Sequence, residues 1–169
     1  LGLGHAVLMA KDLIGHEPFA VILPDDVLIA DRPVIGQLIH AYHQHHGSVV
    51  AVTEVPDEET SRYGVIAGER VDSGQDRERT YRMTGIVEKP AAGTAPSNLA
   101  VIGRYVLTPK IFDKLEQTQR GAGGVGLVAS HARFECIDQR FTAGVLHLEL
   151  DNRRVAPGRA RPCPAPRWF

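Results

Sequence analysis

The sequence predicts an α/β domain built on a mixed sheet. Two observations carry that expectation. Short β-branched runs alternate with segments whose apolar residues recur with a period near 3.6, and several strand-like runs then follow one another with no helix between them. Alternation implies parallel strands joined by helices, whereas the uninterrupted block implies an antiparallel excursion. The length of 169 residues suits one domain with a real core, since a chain of ~150 residues buries roughly 70% of its unfolded surface.

The elements follow in order. His5–Ile14 carries Ala6, Val7, Ala10 and Ile14 at helical spacing, with Gly15 as a stop that tolerates positive φ. Phe19–Leu23 is a continuous apolar run that fits a strand buried on both faces, ended by Pro24-Asp25-Asp26. Asp31 and Pro33 precede a helix whose stripe is Val34, Ile35, Leu38, Ile39 and Tyr42, closed by Gly47. Ser48–Val55 is the second strand, and the acidic run Asp57–Glu59 turns the chain into a third over Tyr63–Ala67. A polar loop over Asp72–Glu78, a longer strand over Arg79–Lys89, a loop from Pro90 to Asn98 and a strand over Leu99–Leu107 complete the excursion. Thr108-Pro109 then opens a helix with Ile111, Phe112 and Leu115 on its apolar side, ended by Gly121-Ala-Gly-Gly124.

Composition excludes several classes. No apolar run approaches the ~18–20 residues of a membrane span. Two cysteines, Cys136 and Cys163, exclude a disulfide framework and point to a reducing, cytoplasmic setting; neither sits in a reactive motif. A formal net charge of −1 gives no reason to expect nucleic acid. That total hides an asymmetry: residues 1–120 hold 12 basic and 16 acidic side chains, residues 121–169 hold 7 and 4. Arg153–Phe169 has five arginines, four prolines and no acid, so it is expected to be a disordered tail. The opening Leu1-Gly-Leu-Gly-His5 lacks a basic stretch before its apolar residues, does not read as a signal peptide, and looks like the interior of a longer protein.

Three features could carry chemistry. Leu23-Pro-Asp25-Asp26 follows a buried strand, and the carboxyl ends of such strands line ligand crevices, where an acid can hold a hard cation beside phosphates. The bland reading is a Pro-Asp turn bonding its own backbone. Glu88-Lys89-Pro90 places a carboxylate for hydroxyls and an ammonium for a phosphate at a strand end, although alternation points the two to opposite faces unless the strand ends there. His43, His45 and His46 suggest a metal module, but a site needs three or four convergent ligands, and imidazoles at a helix end are favourable without one. Gly2-Leu-Gly4 is too short for a dinucleotide fingerprint.

Taken in order, Gly2-Leu-Gly4-His5-Ala6-Val7, Leu23-Pro-Asp25-Asp26, Tyr63-Gly64-Val65-Ile66, Val87-Glu88-Lys89-Pro90, the run from Ser97 to Tyr105 and Gly121-Ala-Gly-Gly124 strongly resemble the bacterial UTP–glucose-1-phosphate uridylyltransferases (UDP-glucose pyrophosphorylases) of the sugar nucleotidyltransferase family. The resemblance runs from Leu1 to Gly124. It implies an incomplete Rossmann-like α/β/α nucleotidyltransferase domain with a mixed sheet, UTP and glucose 1-phosphate as small-molecule partners, Mg²⁺ as cofactor, and a homo-oligomer in the full-length family. By motif position Gly2 and Gly4 look like the segment contacting the uracil ring, Asp25 like the Mg²⁺ ligand and Asp26 like a substrate contact. Gly64 would let the sugar approach the backbone, Glu88 would hold glucose hydroxyls, Lys89 would bind the sugar phosphate, and Val101 and Tyr105 would line the sugar pocket.

The chain also departs from that pattern. Family members open with a strand and a Gly-rich loop containing Gly-Thr-Arg, followed by a lysine, which hold the triphosphate and are expected before Leu1. After Gly124 the family's Glu-Ile-Gln-Leu-Thr-Asp is replaced by Val125-Gly-Leu-Val-Ala-Ser130, and Asp151 is the nearest candidate for a second metal ligand. The expected organisation is therefore a partial nucleotidyltransferase domain over residues 1–124, a divergent segment over 125–152 and the tail over 153–169. A dTTP- or CTP-dependent sister enzyme and a non-catalytic sugar-phosphate-binding paralogue stay open as alternatives. On this reading the purified 169-residue chain gives little or no UDP-glucose from UTP and glucose 1-phosphate; a coupled pyrophosphate-release assay showing turnover overturns that expectation.

Overall fold

The computed structural model describes residues 2–71, 79–117 and 144–147. The loop expected over Asp72–Glu78, the Gly121–Gly124 run, the departure after Gly124, both cysteines, Asp151 and the Arg/Pro-rich end lie outside the described residues. Helix α1 (Leu3–Met9) and the short α2 (Lys11–Ile14) are followed by β1 (Phe19–Ile22), α3 (Val34–His45) and β2 (Val49–Glu54). After a 3-10 turn over Asp57–Arg62 come β3 (Gly64–Arg70), β4 (Thr80–Glu88), β5 (Leu99–Leu107), α4 (Lys110–Gln117) and β6 (Gly144–His147).

The strands form one sheet in the order β1-β5-β2-β6-β4-β3, with β3 also touching β5. β5 is the hub. Tyr105 lies opposite both Val21 of β1 and Val50 of β2, and Ala100 opposite both Thr53 of β2 and Val65 of β3. Thus β2 occupies one edge of β5, while β1 and β3 share the other. All the pairings of β5 are antiparallel, so β1 and β2 run the same way with β5 between them. The parallel pair is β2 with β6, and β6 comes from beyond the point where the sequence reading stops assigning elements.

Alternation along β5 sends side chains to two layers. Ile102 and Val106 pack with Val34, Leu38 and Ala41 of α3 and with Val49 and Ala51 of β2. Leu107 packs on the other side with Ile111, Phe112 and Leu115 of α4, joined by Val7 and Leu8 of α1, and the Phe19 and Phe112 rings stack at 5.2 Å. Val52, Ile66, Tyr81, Met83 and Leu99 form a third cluster across β2 to β5. β2 is buried throughout Val49–Val52 because it has cover on both faces.

Several expectations are corrected by this packing. β1 is not buried on both faces: Phe19 and Val21 pack against the α4 cluster, whereas Ala20 and Ile22 on the other face are exposed, Ile22 to 54%. The first helix is two, divided at Ala10, and Gly15 does end the second with φ 66° and its N–H on the Lys11 carbonyl. Helix α3 ends not at Gly47 but at His46, which takes the left-handed conformation (φ 52°) and bonds the Tyr42 carbonyl. Within the α3 stripe Ile39 is exposed and Ala41 is buried instead.

Leu38 is fully buried and Leu13 is 91% exposed. Leu38→Ala should therefore destabilise the chain by about 3 kcal/mol, the usual cost of a core truncation with its cavity. Leu13→Ala should change stability by less than about 0.5 kcal/mol. Urea denaturation of both variants checks the contrast.

Candidate active site

The end of β1 and the start of β3 approach each other along one edge of β5. β1 runs toward the amino end of β5 and leaves it at Leu23, whose N–H donates to the Gly103 carbonyl (2.9 Å). β3 enters the same edge at the other end, with Val65 opposite Ala100. Leu23 and Val65 thus mark positions three residues apart on β5, a gap of about 10 Å at ~3.3 Å per residue. The residues singled out for chemistry flank this gap: the Pro24–Asp26 turn on one side, Gly64 with Glu88 and Lys89 on the other, and Val101 on the β5 segment between.

On the first side, Asp26 Oδ2 accepts the N–H of Gly103 (2.9 Å). A Cβ on Gly103 would lie 2.6 Å from that oxygen and 2.7 Å from the Leu23 Cβ, so only glycine admits the turn this close to the strand. Arg104 completes the anchorage. Its Nη1 donates to the carbonyls of Leu23 (2.8 Å) and Gly103 (2.9 Å), and its Nη2 to the carbonyl of Asp26. Asp25 is exposed, with no hydrogen bond or ion pair among the described residues. The bland reading of a Pro-Asp turn bonding its own backbone does not describe it: Asp26 reaches across to β5, and Asp25 is left available.

On the second side, β4 ends at Glu88, and Gly64 pairs with it across the ladder. A Cβ on Gly64 would meet Glu88 Oε2 at 2.9 Å, so the missing side chain leaves room for that carboxylate. Lys89 has φ 47°, the left-handed region, and its N–H donates to the Tyr63 carbonyl (2.8 Å). Strand alternation stops there, which removes the objection that Glu88 and Lys89 must face opposite ways. Lys89 is exposed, and no ion pair engages its ammonium among the described residues. Ser97 ties the loop after Lys89 back to the sheet, donating to the Ile66 carbonyl (2.6 Å) and accepting the Leu99 N–H (3.0 Å).

Other expected site residues lie in packed surroundings. Gly4 is inside α1, where a Cβ would come 3.1 Å from Leu115 of α4, so close helix packing by itself accounts for a glycine there. Gly2 caps that helix, its carbonyl accepting from His5 (3.0 Å) and Ala6 (3.2 Å). Tyr105 packs against the α4 cluster. Lys11 bridges α2 to Glu116 of α4 at 2.6 Å, and that hydrogen-bonded carboxylate holds its ammonium above the ordinary lysine pKa. Among the described residues no group of three or more His, Cys, Asp or Glu converges on one point. In the histidine segment His40 bonds Gln44 (2.9 Å) and His43 meets the Tyr42 ring edge-on. Sequence reasoning gave Gly103, Arg104 and Ser97 no role, although all three stand in the run that carries the resemblance.

Residues 1–125 match the nucleotidyl transferase family. The chain belongs to that family. It is 52% identical over 125 residues to the UTP–glucose-1-phosphate uridylyltransferase of Pseudomonas aeruginosa, which covers 73% of this chain and 43% of that relative. Among solved structures it resembles a UDP-glucose pyrophosphorylase complexed with UDP-glucose (42% identity, TM-score 0.76, covering 88% of this chain and 55% of the other). It also resembles the UTP-bound UDP-glucose pyrophosphorylase of Acinetobacter baumannii (33% identity, TM-score 0.72, covering 88% and 50%). The chain spans less than half the length of the curated relatives it matches.

A left-handed lysine is strained, by about 1–2 kcal/mol per residue for an L-amino acid. Lys89→Gly should therefore raise stability by up to about 1 kcal/mol in urea denaturation, while removing the ammonium. A loss of stability in that variant would show that the backbone is not strained there.

Proposed function

We propose that this chain supplies the sugar-phosphate half of a uridylyl-transfer site, which in the whole protein converts UTP and glucose 1-phosphate to UDP-glucose and pyrophosphate. The observation that carries the reading is the gap on β5, with the Asp25 carboxylate at one rim and Gly64, the Glu88 carboxylate and the Lys89 ammonium at the other, Asp25 and Lys89 having no partner among the described residues. The relatives named for this reaction, and the related structure with UDP-glucose bound, support it.

The chemistry suits such a gap. An oxygen of the sugar phosphate attacks the α-phosphorus of UTP. As that bond forms, the bond from the α-phosphorus to the bridging oxygen breaks, and pyrophosphate leaves with the electron pair. No protein nucleophile is required; positioning and charge compensation lower the barrier. Lys89 would neutralise the sugar phosphate, and Glu88 would accept hydrogen bonds from glucose hydroxyls beside the bare backbone of Gly64. Val101, Tyr105 and Asp26 would shape the sugar side, and Gly2 and Gly4 the base side. Asp25 fits a Mg²⁺ ion: one free carboxylate is what a hydrated hard cation shared with substrate phosphates needs, and no closed protein cage is called for. When bound, Mg²⁺ would offset the charge that gathers on the phosphates.

The same reading takes residues 1–124 as the nucleotidyltransferase unit and the cytoplasm as its compartment, in accord with the cysteine count; a homo-oligomeric whole protein rests on the resemblance alone. Among the described residues no helix is long and apolar enough to cross a membrane.

A thermal-shift titration of the chain with UDP-glucose and Mg²⁺ tests the reading. Binding to the folded state raises the melting temperature by mass action. Wild type should shift, Lys89→Ala should not, and Gly64→Ala should shift less because its methyl displaces Glu88. A stronger response to dTDP-glucose would favour the thymidylyl branch, and equal shifts in wild type and Lys89→Ala would sink the assignment of the phosphate to Lys89.

A further inference from the structure

The turn after β1 is tethered at every residue that could move Asp25. Leu23 is held through its N–H on Gly103 (2.9 Å) and its carbonyl on Arg104 (2.8 Å). Pro24 has its φ fixed by its ring. Asp26 is held by its carboxylate on the Gly103 N–H (2.9 Å) and its carbonyl on Arg104. A half-buried guanidinium therefore directs its donors to backbone carbonyls at both ends of a four-residue turn, and the Asp25 carboxylate has no partner among the described residues.

We infer that Gly103 and Arg104 are positioning residues for Asp25: they hold the Leu23–Asp26 turn against β5 so that one carboxylate, and not its neighbour, is presented to a divalent cation. The inference rests on the reading of Asp25 given above. Asp26, which the sequence offers as an equivalent acid, is taken by the Gly103 amide. The planar fork of arginine can bridge carbonyls three residues apart; a lysine ammonium on a flexible stem cannot hold both in one plane. Gly103 acts by omission, since any Cβ would push the turn away from the strand.

The test uses Mn²⁺ as the cation, with bound and free ion separated by electron paramagnetic resonance, in the presence of UDP-glucose. Wild type should bind Mn²⁺ and Asp25→Asn should not. Arg104→Lys and Gly103→Ala should each bind it at least about tenfold more weakly, as supporting groups around metal ligands generally do. Both should keep a cooperative urea transition, a readout that general loss of structure would abolish. Wild-type Mn²⁺ affinity in Arg104→Lys, with Asp25→Asn defective, overturns the positioning role and leaves the role of Asp25 standing. Unchanged Mn²⁺ binding in Asp25→Asn, or none in wild type, overturns the cation reading itself and the inference with it. Should Gly103→Ala fail to unfold cooperatively, Arg104→Lys decides alone.

Discussion

β5 is hydrogen-bonded along both edges, and the residues around the proposed site take their places from its register. Its buried residues Ile102 and Val106 lock it to α3 and β2 on one side, while Leu107 locks it to α4 on the other. Because the strand cannot slip without moving alternate side chains to the wrong layer, the positions of Leu23 and Val65 along the edge that β1 and β3 share are fixed too. The gap between them is therefore a consequence of core packing. Exposed residues such as Asp25 and Lys89 need not be ordered by contacts of their own, since the strand ends they extend are already held.

Much of this arrangement was legible in the sequence. The β-branched runs at Val49–Glu54 and Leu99–Leu107 and the amphipathic stripes of α3 and α4 are local signals, because burial acts on residues two, three or four apart. The glycine and acid motifs were legible by their order along the chain. What could not be read is non-local. The exposure of β1 depends on what covers each of its faces, which an apolar run such as Phe19–Ile22 does not encode. The strand at Gly144–His147 was missed because four residues carry too little periodicity to stand out; its place comes from pairing with β2 and β4. The end of α3 at His46 was missed because glycine is the ordinary left-handed residue, and Gly47 drew the assignment one position too far.

The same distinction separates the two rims of the site. The Glu88–Lys89 rim is local: Gly64 faces Glu88 by ordinary antiparallel register, and a reader who pairs β3 with β4 finds it. The Asp25 rim depends on Gly103 and Arg104, which bond its neighbour Asp26 from 77 and 78 residues away. A glycine within a buried strand normally weakens it, and an arginine within one normally signals exposure. Both anomalies occur side by side in β5, and the approach of the turn explains them together: one residue yields space and the next supplies donors.

Lys89 poses the converse question, why a site keeps a residue its backbone disfavours. A glycine or asparagine would occupy the left-handed position at less cost. In a continuing strand, however, the ammonium of residue 89 would face away from the carboxylate of residue 88, and a sugar phosphate that needs both could not reach them from one side. Ending β4 at Glu88 and turning the chain at Lys89, with its N–H on the Tyr63 carbonyl, removes that restriction. The strain is sustained by the surrounding hydrogen bonds of Ser97 and the buried Pro90 that follows. A left-handed lysine between a strand end and a proline thus has a physical reason in the chemistry proposed for it.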